Sequence, residues 1–327
     1  MKRNPTYHLI ALWFCFVAGI PVRSYAADGV QITPVDDKLR IEINGQLFSE
    51  YHYKDVARQF LYPVLGPDQL AMSRKWPVEE STDEQHDHPH HRGLWYAHSS
   101  VNGFDFWSEG KGCKIAHQKF LEVSSGADSG VIVETNNWIG SDGTFVCSEK
   151  RSIRIYNRPG TERLLDFDIT FYAPPDKSVV FGDEKDGAMA TRIAETMRLT
   201  NDVNGKSVPG AGHIVMSTGV RDGATWGKRA DWCDYYGPVA GKTVGIAIFD
   251  HPDNLRHPTW WHVRDYGLFS ANPFGVHDFE KKPKHTGDYT LEAGKTLTFR
   301  YRFYYHQGDE VQAKVAEHYS DYVAGKN

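Results

Sequence analysis

The run LLDFDITFY, residues 164–172, alternates apolar and polar side chains and decides the fold class. Successive side chains of a strand point to opposite faces, so Leu165, Phe167, Ile169 and Phe171 share one face while the polar side chains take the other. Such alternation is typical of a half-buried β-strand. The run therefore predicts a strand that lays one face on an apolar core.

The same alternation recurs along the chain, and turn residues separate the runs. Asn44-Gly45 lies between residues 39–43 and 46–48, and Asn-Gly between such runs is the strongest short signal for a β-hairpin. Further strands are predicted at residues 120–123, 131–134, 145–155, 244–249 and 297–305. Helical spacing is confined to the C-terminal end, where Asp309 is the expected N-cap of a helix with Val311, Val315, His318 and Tyr322 on one face.

Many hairpins at short spacing, with one predicted helix, favour an all-β fold. We expect a large antiparallel β-sandwich with a short C-terminal helix. The sequence shows no internal repeat and no Pro/Ser-rich linker, so residues 27–327 are expected to form a single domain.

Residues 1–26 are typical of a secretory signal peptide. Lys2 and Arg3 supply the positive start, residues 10–20 are apolar, and a small-residue site allows cleavage after Ala26. The apolar stretch is shorter than the roughly 20 residues that span a bilayer, which disfavours an uncleaved anchor. The mature protein is therefore expected in the periplasm or outside the cell.

The charge balance excludes two classes of partner. The chain has 37 Lys and Arg against 42 Asp and Glu, a formal net charge of −5, and cleavage of the leader removes basic but no acidic side chains. A mildly acidic protein lacks the charge that attracts nucleic acid, and it lacks a polybasic patch for a membrane surface. No later stretch predicts membrane insertion. The cysteines of the mature chain, Cys113, Cys147 and Cys233, are compatible with one disulfide or with free thiols.

The densest cluster of reactive side chains lies in a long irregular stretch, residues 62–108. Five of the 16 histidines fall between His86 and His98. In an extended backbone His86, His88 and His90 would share one side and could hold zinc or copper. Long loops on a sheet scaffold are where binding and chemistry usually lie, so this segment is the first candidate site.

Three interpretations of this cluster are open: a metal site, a metal-free acid/base and hydrogen-bonding cluster, or a structural loop. Arg92 argues against a metal, because a cation beside a metal ion is costly unless an acid offsets it. Arginine instead suits a carboxylate or sulfate, which it can bind with two hydrogen bonds. No cofactor is assigned, and a divalent metal is one of the alternatives.

A carboxylate in an apolar row is the second candidate. Read as a strand, residues 193–199 place Glu195 on the same face as Ile193 and Met197. Such a carboxylate must be paired or keep its proton, and a protonated carboxyl near neutral pH is what a general acid requires. The alternative is a structural ion pair with Arg192 or Arg198.

Two later regions combine aromatic rings with charged side chains. Residues 217–237 interleave Trp226 and Trp232 with acids, bases and glycines, which suits sugar rings that stack and donate hydrogen bonds. Aromatic packing beneath a surface loop is the alternative. Three segments follow the strand predicted at residues 244–249 and can line the same cleft: residues 251–254, 260–267 and 270–275.

Several segments together resemble the secreted bacterial family labelled PmoA-like, and they are residues 86–98, 103–107, 190–198, 221–237 and 271–275. The resemblance covers nearly all of the mature chain. The label implies a methane oxygenase subunit, but that subunit spans a membrane several times and this chain has no matching span. The resemblance implies a galactose-mutarotase-like supersandwich and work on carbohydrates, in a fold whose enzymes use histidines and carboxylates in a concave cleft.

The leading hypothesis is a secreted carbohydrate-active enzyme, a glycoside hydrolase or lyase acting on plant or algal saccharides through a His/Glu acid-base site. The candidate catalytic residues are His90, His91, Arg92, His98 and Glu195. The candidate substrate-binding residues are Trp95, Asp105, Trp107, Arg221, Trp226, Asp231, Trp232, His251 and Asn272. A hydrolase needs two carboxyls across the scissile bond, whereas a lyase or epimerase needs one base over a C–H bond, so the abundance of histidine favours the latter.

Two alternatives belong to other functional classes. One is a non-catalytic secreted protein that binds glycans, and the other is a secreted metalloprotein with redox activity, closer to the PmoA-like label. All three hypotheses share an exported protein, the first two share a saccharide partner, and the oligomeric state is open in each.

Overall fold

The computed structural model describes Met1 and residues 28–326. Apart from Met1, the predicted signal peptide lies outside the described residues. Within the described parts of the chain, no helix is both long and apolar enough to cross a membrane.

Antiparallel strands dominate the described chain. In chain order the strands are β1 (Val30–Val35), β2 (Lys38–Ile43), β3 (Gln46–His52), β4 (Phe60–Val64), β5 (Leu94–His98), β6 (Lys114–Ser124), β7 (Ser129–Ile139), β8 (Phe145–Tyr156), β9 (Glu162–Tyr172), β10 (Val179–Phe181), β11 (Gly187–Arg192), β12 (Thr200–Val203), β13 (Lys206–Pro209), β14 (His213–Met216), β15 (Trp232–Val239), β16 (Lys242–Asp250), β17 (Trp260–Val263), β18 (Leu268–Asn272), β19 (Tyr289–Leu291) and β20 (Thr296–Gln307). The α-helices are α1 (Val276–Glu280) and α2 (Val315–Val323), and short 3-10 turns cover Pro67–Gln69, Glu195–Met197 and Asp222–Ala224.

Two eight-stranded sheets contain most of these strands. The first sheet has the order β1-β2-β3-β4-β5-β11-β18-β17, and the second has the order β14-β15-β16-β20-β9-β8-β7-β6. Two small pairs, β10 with β19 and β12 with β13, complete the strands. The predicted all-β antiparallel sandwich with a short C-terminal helix is thereby confirmed.

The alternating run of residues 164–172 lies in β9 and supplies part of the core between the sheets. The side chains of its inner face, including Phe167 and Phe171, are each at most 1% exposed. Tyr96 of β5, in the opposite sheet, contacts Phe171 with ring centroids 5.6 Å apart. Full burial of one such side chain stabilises the fold by roughly 1.5–3 kcal/mol, so the inner faces hold the sheets together.

The predicted hairpin turn at Asn44-Gly45 joins β2 to β3. Asn44 has φ 50° and Gly45 has φ 74°, and a two-residue turn of this kind needs positive φ at both positions. Asn and Gly tolerate that conformation better than other residues, which is why the dipeptide is a reliable signal.

A buried polar network also links the two sheets. The hydroxyl of Tyr51 in β3 donates to Glu134 in β7 and accepts from Arg151 in β8 at 3.1 Å. Arg151 donates to Glu149 at 2.7 Å, and Asn136 donates to both carboxylates at 2.8 Å. These side chains are at most 1% exposed, so their charges depend on one another for compensation.

The C-terminal helix begins later than predicted. Asp309 accepts hydrogen bonds from the backbone of the next turn, but α2 starts only at Val315. Lys314 has φ 53°, a left-handed conformation that an α-helix cannot contain, so the turn and the helix are separate. Tyr322 of α2 packs on Phe249 of β16, and the helix thereby covers the outer face of the second sheet.

The cysteines of the described residues are free thiols. Cys147 and Cys233 are buried, and burial raises the pKa of both thiols. They behave as apolar core side chains, so the structure supports the free-thiol alternative.

The first sheet has one face towards the core and one outer face. Tyr96 points between the sheets, so its neighbour Trp95 points to the outer face. There Trp95 lies against His91, with centroids 5.3 Å apart, and against Trp107 at 5.3 Å. The histidine segment therefore packs on the outer face of β5.

Candidate functional site

A cleft of about 370 Å³ opens on this outer face, beside β5, β11, β17 and β18. Its lining side chains come from separate segments of the chain, and they are His88, His90, His91, Trp107, Ser108, Lys185, Asp186, His262, Arg264, Tyr266 and Leu268. The cleft gathers imidazoles, two cations, one carboxylate and aromatic rings. Convergent polar groups in a concave site are the usual sign of ligand binding, so this is the candidate functional site.

The histidine segment is not extended, which was the condition for the metal-site interpretation. His88 has φ 45°, and the backbone N–H of His91 donates to the carbonyl of His88 at 3.0 Å. The rings of His88 and His91 stack with centroids 4.8 Å apart, and Tyr266 stacks on His88 at 5.0 Å. His90 meets His91 edge-on at 4.5 Å. Ring contacts across a turn therefore gather these imidazoles.

The predicted metal ligands His86, His88 and His90 do not share one side. His86 stacks on Trp76 with centroids 4.9 Å apart, and its Nε2 contacts the carbonyl of Ser81 at 2.7 Å. In Met1 and residues 28–326, no three or more His, Cys, Asp or Glu side chains are placed to hold one metal ion. The turn at His88 breaks the two-residue period that would have brought these three rings to one side.

One carboxylate fixes the segment. Asp87 pairs with Arg74, with Arg192 at 2.7 Å and with Nδ1 of His88 at 2.9 Å. Both guanidinium side chains are 0% exposed, so Asp87 supplies the opposite charge that their burial requires. Burial alone would raise the pKa of Asp87. The hydrogen bond from His88 and the charges of the two arginines outweigh burial, so the pKa of Asp87 lies below its usual range. Asp87 therefore ties the histidine segment to β11.

Three imidazoles of the cleft are neutral near pH 7. Burial, together with the charge of Arg58, lowers the pKa of His90 to about 4. Burial lowers the pKa of His262 to about 3, and burial with the charge of Arg192 lowers the pKa of His91 well below its usual value. Neutral imidazoles have one donor and one acceptor nitrogen each, as proton transfer requires.

Hydrogen bonds determine the protonated nitrogen in two of these rings. A guanidinium only donates, so Nδ1 of His91, 3.2 Å from Arg192, accepts and Nε2 carries the proton. A carbonyl only accepts, so Nδ1 of His262, 2.7 Å from the carbonyl of Lys185, carries the proton and Nε2 keeps a lone pair. The ring nitrogens of His90 have no hydrogen-bond partner within the described chain. The cleft therefore contains a donor nitrogen of His91, an acceptor nitrogen of His262, and the ring of His90, which bonds to no described residue.

A buried amide positions the opposite wall. Asn272, which is 0% exposed, donates to the carbonyls of Glu184 at 3.0 Å and Lys185 at 2.8 Å. These bonds hold the segment that carries Lys185 and Asp186 against the end of β18. Asn272 was predicted to bond substrate hydroxyls, whereas in the structure its amide N–H groups bond to backbone carbonyls of the protein.

Asp105 and Trp107 are also used internally. Asp105 accepts from the backbone N–H groups of Trp107 and Ser108, both at 2.9 Å, and Arg58 donates to the carbonyl of Trp107 at 2.6 Å. Trp107 lines the cleft but is only 2% exposed, so its ring supports the imidazoles and presents no open face to a sugar. Asp105 acts as a positioning residue for this loop.

Glu195 faces a different cavity, of about 360 Å³. The strand β11 ends at Arg192 and Glu195 begins a 3-10 turn, so the predicted strand register does not apply. Its carboxylate pairs with Arg198, which is the structural alternative considered from the sequence. The predicted convergence of the histidines with Glu195 in one cleft is therefore wrong.

Three further predicted residues lie outside the cleft. His98 is 0% exposed, contacts the carbonyl of Gly182 at 2.7 Å, and has its pKa lowered to about 4 by burial. Arg92 pairs with Glu109 at 2.9 Å. Trp95 is 0% exposed beneath the histidine segment. These side chains support the site without lining it.

The other aromatic and charged candidates lie mainly against α2 and the second sheet. Trp232 packs in the apolar cluster that α2 covers, and His251 contacts Tyr322 of that helix at 5.3 Å. Arg221 pairs with Glu310, and Asp231 contacts His257 at 3.4 Å. Trp226 is the exception, because it lines a cavity of about 250 Å³ that shares Arg264 with the cleft.

Seven lining residues were not among the individual candidate site residues, and they are Ser108, Lys185, Asp186, His262, Arg264, Tyr266 and Leu268. Residues 260–267 were a segment expected to line a shared cleft, and four of the seven come from that segment or directly follow it. Lys185 and Asp186 carried no comparable signal. Only the pairing of β11 with β5 and β18 brings them to the site.

Two packed antiparallel sheets with a polar cleft on an outer face define the class of this protein: an all-β protein with a histidine-rich surface site. The chain belongs to a family of unknown function, DUF6807, whose model matches residues 38–320. The family description names no activity, and the resemblance to the PmoA-like family stays a prediction.

Two solved structures are similar at a low level. A galactose mutarotase related enzyme from Lactobacillus acidophilus has 9% identity and a TM-score of 0.33, over 85% of this chain and 97% of that one. A GalM/aldose epimerase homologue from C. elegans has 8% identity and a TM-score of 0.32, over 86% of this chain and 100% of that one. Similarity this low carries no conclusion about activity. Comparison with the curated proteins gives no match.

Proposed function

We propose that the protein is an exported enzyme that converts saccharides by proton transfer through the imidazoles of the cleft. The reaction type that fits is removal of a proton from carbon, as in a lyase or an epimerase. Export to the periplasm or the outside of the cell is part of this proposal, and the predicted signal peptide supports it.

The chemistry of the lining supports a hydroxyl-rich ligand. Imidazoles, the hydroxyl of Ser108, the ammonium of Lys185 and the carboxylate of Asp186 offer both donors and acceptors. A ligand with few polar groups would leave these unpaired, and each unpaired group costs about 1–3 kcal/mol when it is buried. A sugar ring, which carries hydroxyls on several sides, can satisfy them.

The number of carboxylates in the cleft supports proton removal from carbon over hydrolysis. Hydrolysis of a glycoside commonly uses two carboxyls about 5–10 Å apart across the bond. Asp186 is the carboxylate among the described lining residues, whereas Asp87 is engaged by two arginines and Glu195 faces another cavity. Proton removal from carbon needs one base, and His90 is a neutral imidazole with no hydrogen-bond partner in the described residues. This observation carries the proposal.

The test is turnover of a panel of plant and algal oligosaccharides. A lyase gives a product with a new conjugated double bond, seen by ultraviolet absorbance, and an epimerase exchanges a carbon-bound proton for deuterium, seen by NMR. We expect His90→Asn to abolish either signal. His285→Asn, at a side chain 81% exposed and outside the cleft, is the matched control and should keep it.

Two outcomes would contradict the proposal. One is a new reducing end with neither a double bond nor deuterium exchange, which would indicate hydrolysis. The other is saccharide binding without turnover that survives His90→Asn, which would indicate a glycan-binding protein.

A further inference from the structure

The side chain of Arg264 is unusual among the arginines of the described chain. Its guanidinium carbon lies 5.4 Å from the ring centroid of Tyr266 and 5.9 Å from that of Trp226. No carboxylate, carbonyl or hydroxyl among the described residues bonds to that guanidinium. Every other arginine in residues 28–326 has a hydrogen bond or an ion pair, whether with an acid, as Arg92 has, or with carbonyls, as Arg229 has.

The guanidinium of Arg264 is held in place and still accessible. Contact with aromatic rings restrains the plane of the cation. None of its nitrogens is a buried atom lacking a partner, so all of them reach solvent. A planar group with five N–H donors, oriented but unpaired, is arranged for an oxyanion that accepts two parallel hydrogen bonds.

The position of Arg264 connects it with the proposed chemistry. It follows β17 directly and lines the cleft together with His90 and His262. Lys185 adds a second positive charge to the cleft, and its ammonium is only loosely paired with Asp186, at 3.7 Å. Two cations against one carboxylate favour an anionic ligand in this cleft.

We propose that Arg264 anchors an oxyanion of the substrate, so that the ligand of the cleft is an acidic saccharide bearing a carboxylate or a sulfate. This inference rests on the proposed function and names its substrate class. The shared chemistry is a sugar ring with a negatively charged oxygen group that binds side-on to a guanidinium.

Anion binding at Arg264 would also adjust the nearby bases. A negative charge favours the protonated form of an imidazole, so a bound oxyanion raises the pKa of His90 from about 4 towards neutrality. A base whose pKa approaches the working pH transfers protons more effectively. Acidic substrates would therefore activate the site that binds them, whereas neutral sugars would not.

A uronate carboxylate makes the step chemically complete. The imidazole takes the proton from the carbon that bears the carboxylate, and the electron pair spreads onto the carboxylate oxygens held by Arg264. In elimination that pair becomes a carbon–carbon double bond, the neighbouring C–O bond breaks, and the leaving oxygen takes up the proton that the imidazole has just received. In epimerisation a proton returns to the opposite face of the same carbon.

The experiment measures binding of matched ligands by calorimetry and NMR. The carboxylate arm uses oligomers of galacturonate, glucuronate, mannuronate and guluronate, each beside its neutral methyl ester. The sulfate arm uses sulfated galactan oligomers beside their desulfated forms, with inorganic sulfate alone as a reference. We expect one acidic oligomer to bind at least about tenfold more tightly than its neutral counterpart, a difference equal to one charge-assisted hydrogen bond.

Two arginine variants then test whether the preference for the acidic oligomer depends on Arg264. Arg264→Gln should abolish the preference for the acid, and Arg229→Gln should retain it. Arg229 is a matched control because it also stacks on a tryptophan, Trp260 at 4.6 Å, and does not line the cleft. Circular dichroism and melting curves establish that both variants fold. In a destabilised variant, the ratio of the affinities for the acidic and the neutral oligomer still measures the contribution of Arg264 to binding the acid.

The outcomes separate this inference from the proposed function. Turnover of a neutral saccharide with no preference for its acidic form overturns the role of Arg264 and leaves the enzyme proposal standing. A preference for the acid that persists in Arg264→Gln, or inorganic sulfate binding as tightly as the sulfated oligomer, also overturns it. Absence of any saccharide binding removes both proposals.

Discussion

Replacing Asp87 with Asn tests whether one carboxylate holds the histidine segment in place. The side chains of Arg74 and Arg192 are 0% exposed, and both contact Asp87. Removing one partner of a buried ion pair costs about 3–5 kcal/mol, because the other charge is left without compensation. Asp87 itself is 29% exposed, so solvent screens part of the effect and we expect about 3 kcal/mol.

Urea unfolding and calorimetry measure this loss in the free energy of unfolding. About 3 kcal/mol corresponds to a fall in Tm of about 6 °C for a large domain. Asp321→Asn is the matched control, because Asp321 pairs with Lys326 at 3.5 Å and the two side chains are 54% and 71% exposed. A surface change of that kind should alter stability by no more than about 0.5 kcal/mol.

The loss from Asp87→Asn should depend on pH in one direction. The folded pKa of Asp87 is lowered, so its stabilising contribution is full above the unfolded value of about 3.9 and disappears as the pH falls through the folded value. The difference between wild type and variant should be constant between about pH 5 and pH 7 and shrink in stronger acid. A variant no less stable than Asp321→Asn, or a difference that grows in acid, would refute the role of Asp87.

Three further perturbations test other parts of the structure. Arg151→Met should destabilise the fold by about 3–5 kcal/mol in urea unfolding, because two buried carboxylates lose their shared cation; an unchanged midpoint would contradict the buried network. Asn272→Ala releases Lys185, so saccharide binding measured by calorimetry should weaken about tenfold and the free energy of unfolding should fall by about 1–3 kcal/mol. An unchanged affinity would show that the amide of Asn272 does not position the Lys185 side of the cleft. The hydrogen bond to Asp250 raises the pKa of His257, so the stabilisation of the fold by His257 is full below about pH 6.5 and falls as the pH rises through the folded pKa. His257→Gln should therefore lower the free energy of unfolding more at about pH 5 than at about pH 9. The reverse order would exclude this linkage.

The strands were predictable because their signal is local. In β9 the alternation of Leu165, Phe167, Ile169 and Phe171 follows from the two-residue period of a strand, and no distant contact is needed to see it. The turn at Asn44 was predictable for the same reason, since its backbone conformation is a property of the dipeptide.

The site was less predictable because its geometry depends on distant partners. The turn in the histidine segment was not predictable, because Asp87 binds arginines that are 13 and 105 positions away in the chain. The pairing of Glu195 with Arg198 depends on where β11 ends, and the sequence pattern continued past that point. Lys185 reaches the cleft through bonds to Asn272 and His262, which no local pattern reveals.

The most direct test of the account is a histidine-selective NMR titration of the full chain with the acidic oligosaccharides. We expect the imidazole signals of His90, His91 and His262 to shift on binding, and the pKa of His90 to rise from about 4. The signals of the remote histidines, His213, His285 and His318, should stay in place. Shifts confined to these remote rings, or no shift in the cleft with any oligosaccharide that binds, would contradict the assignment of this cleft as the site where the protein meets its substrate.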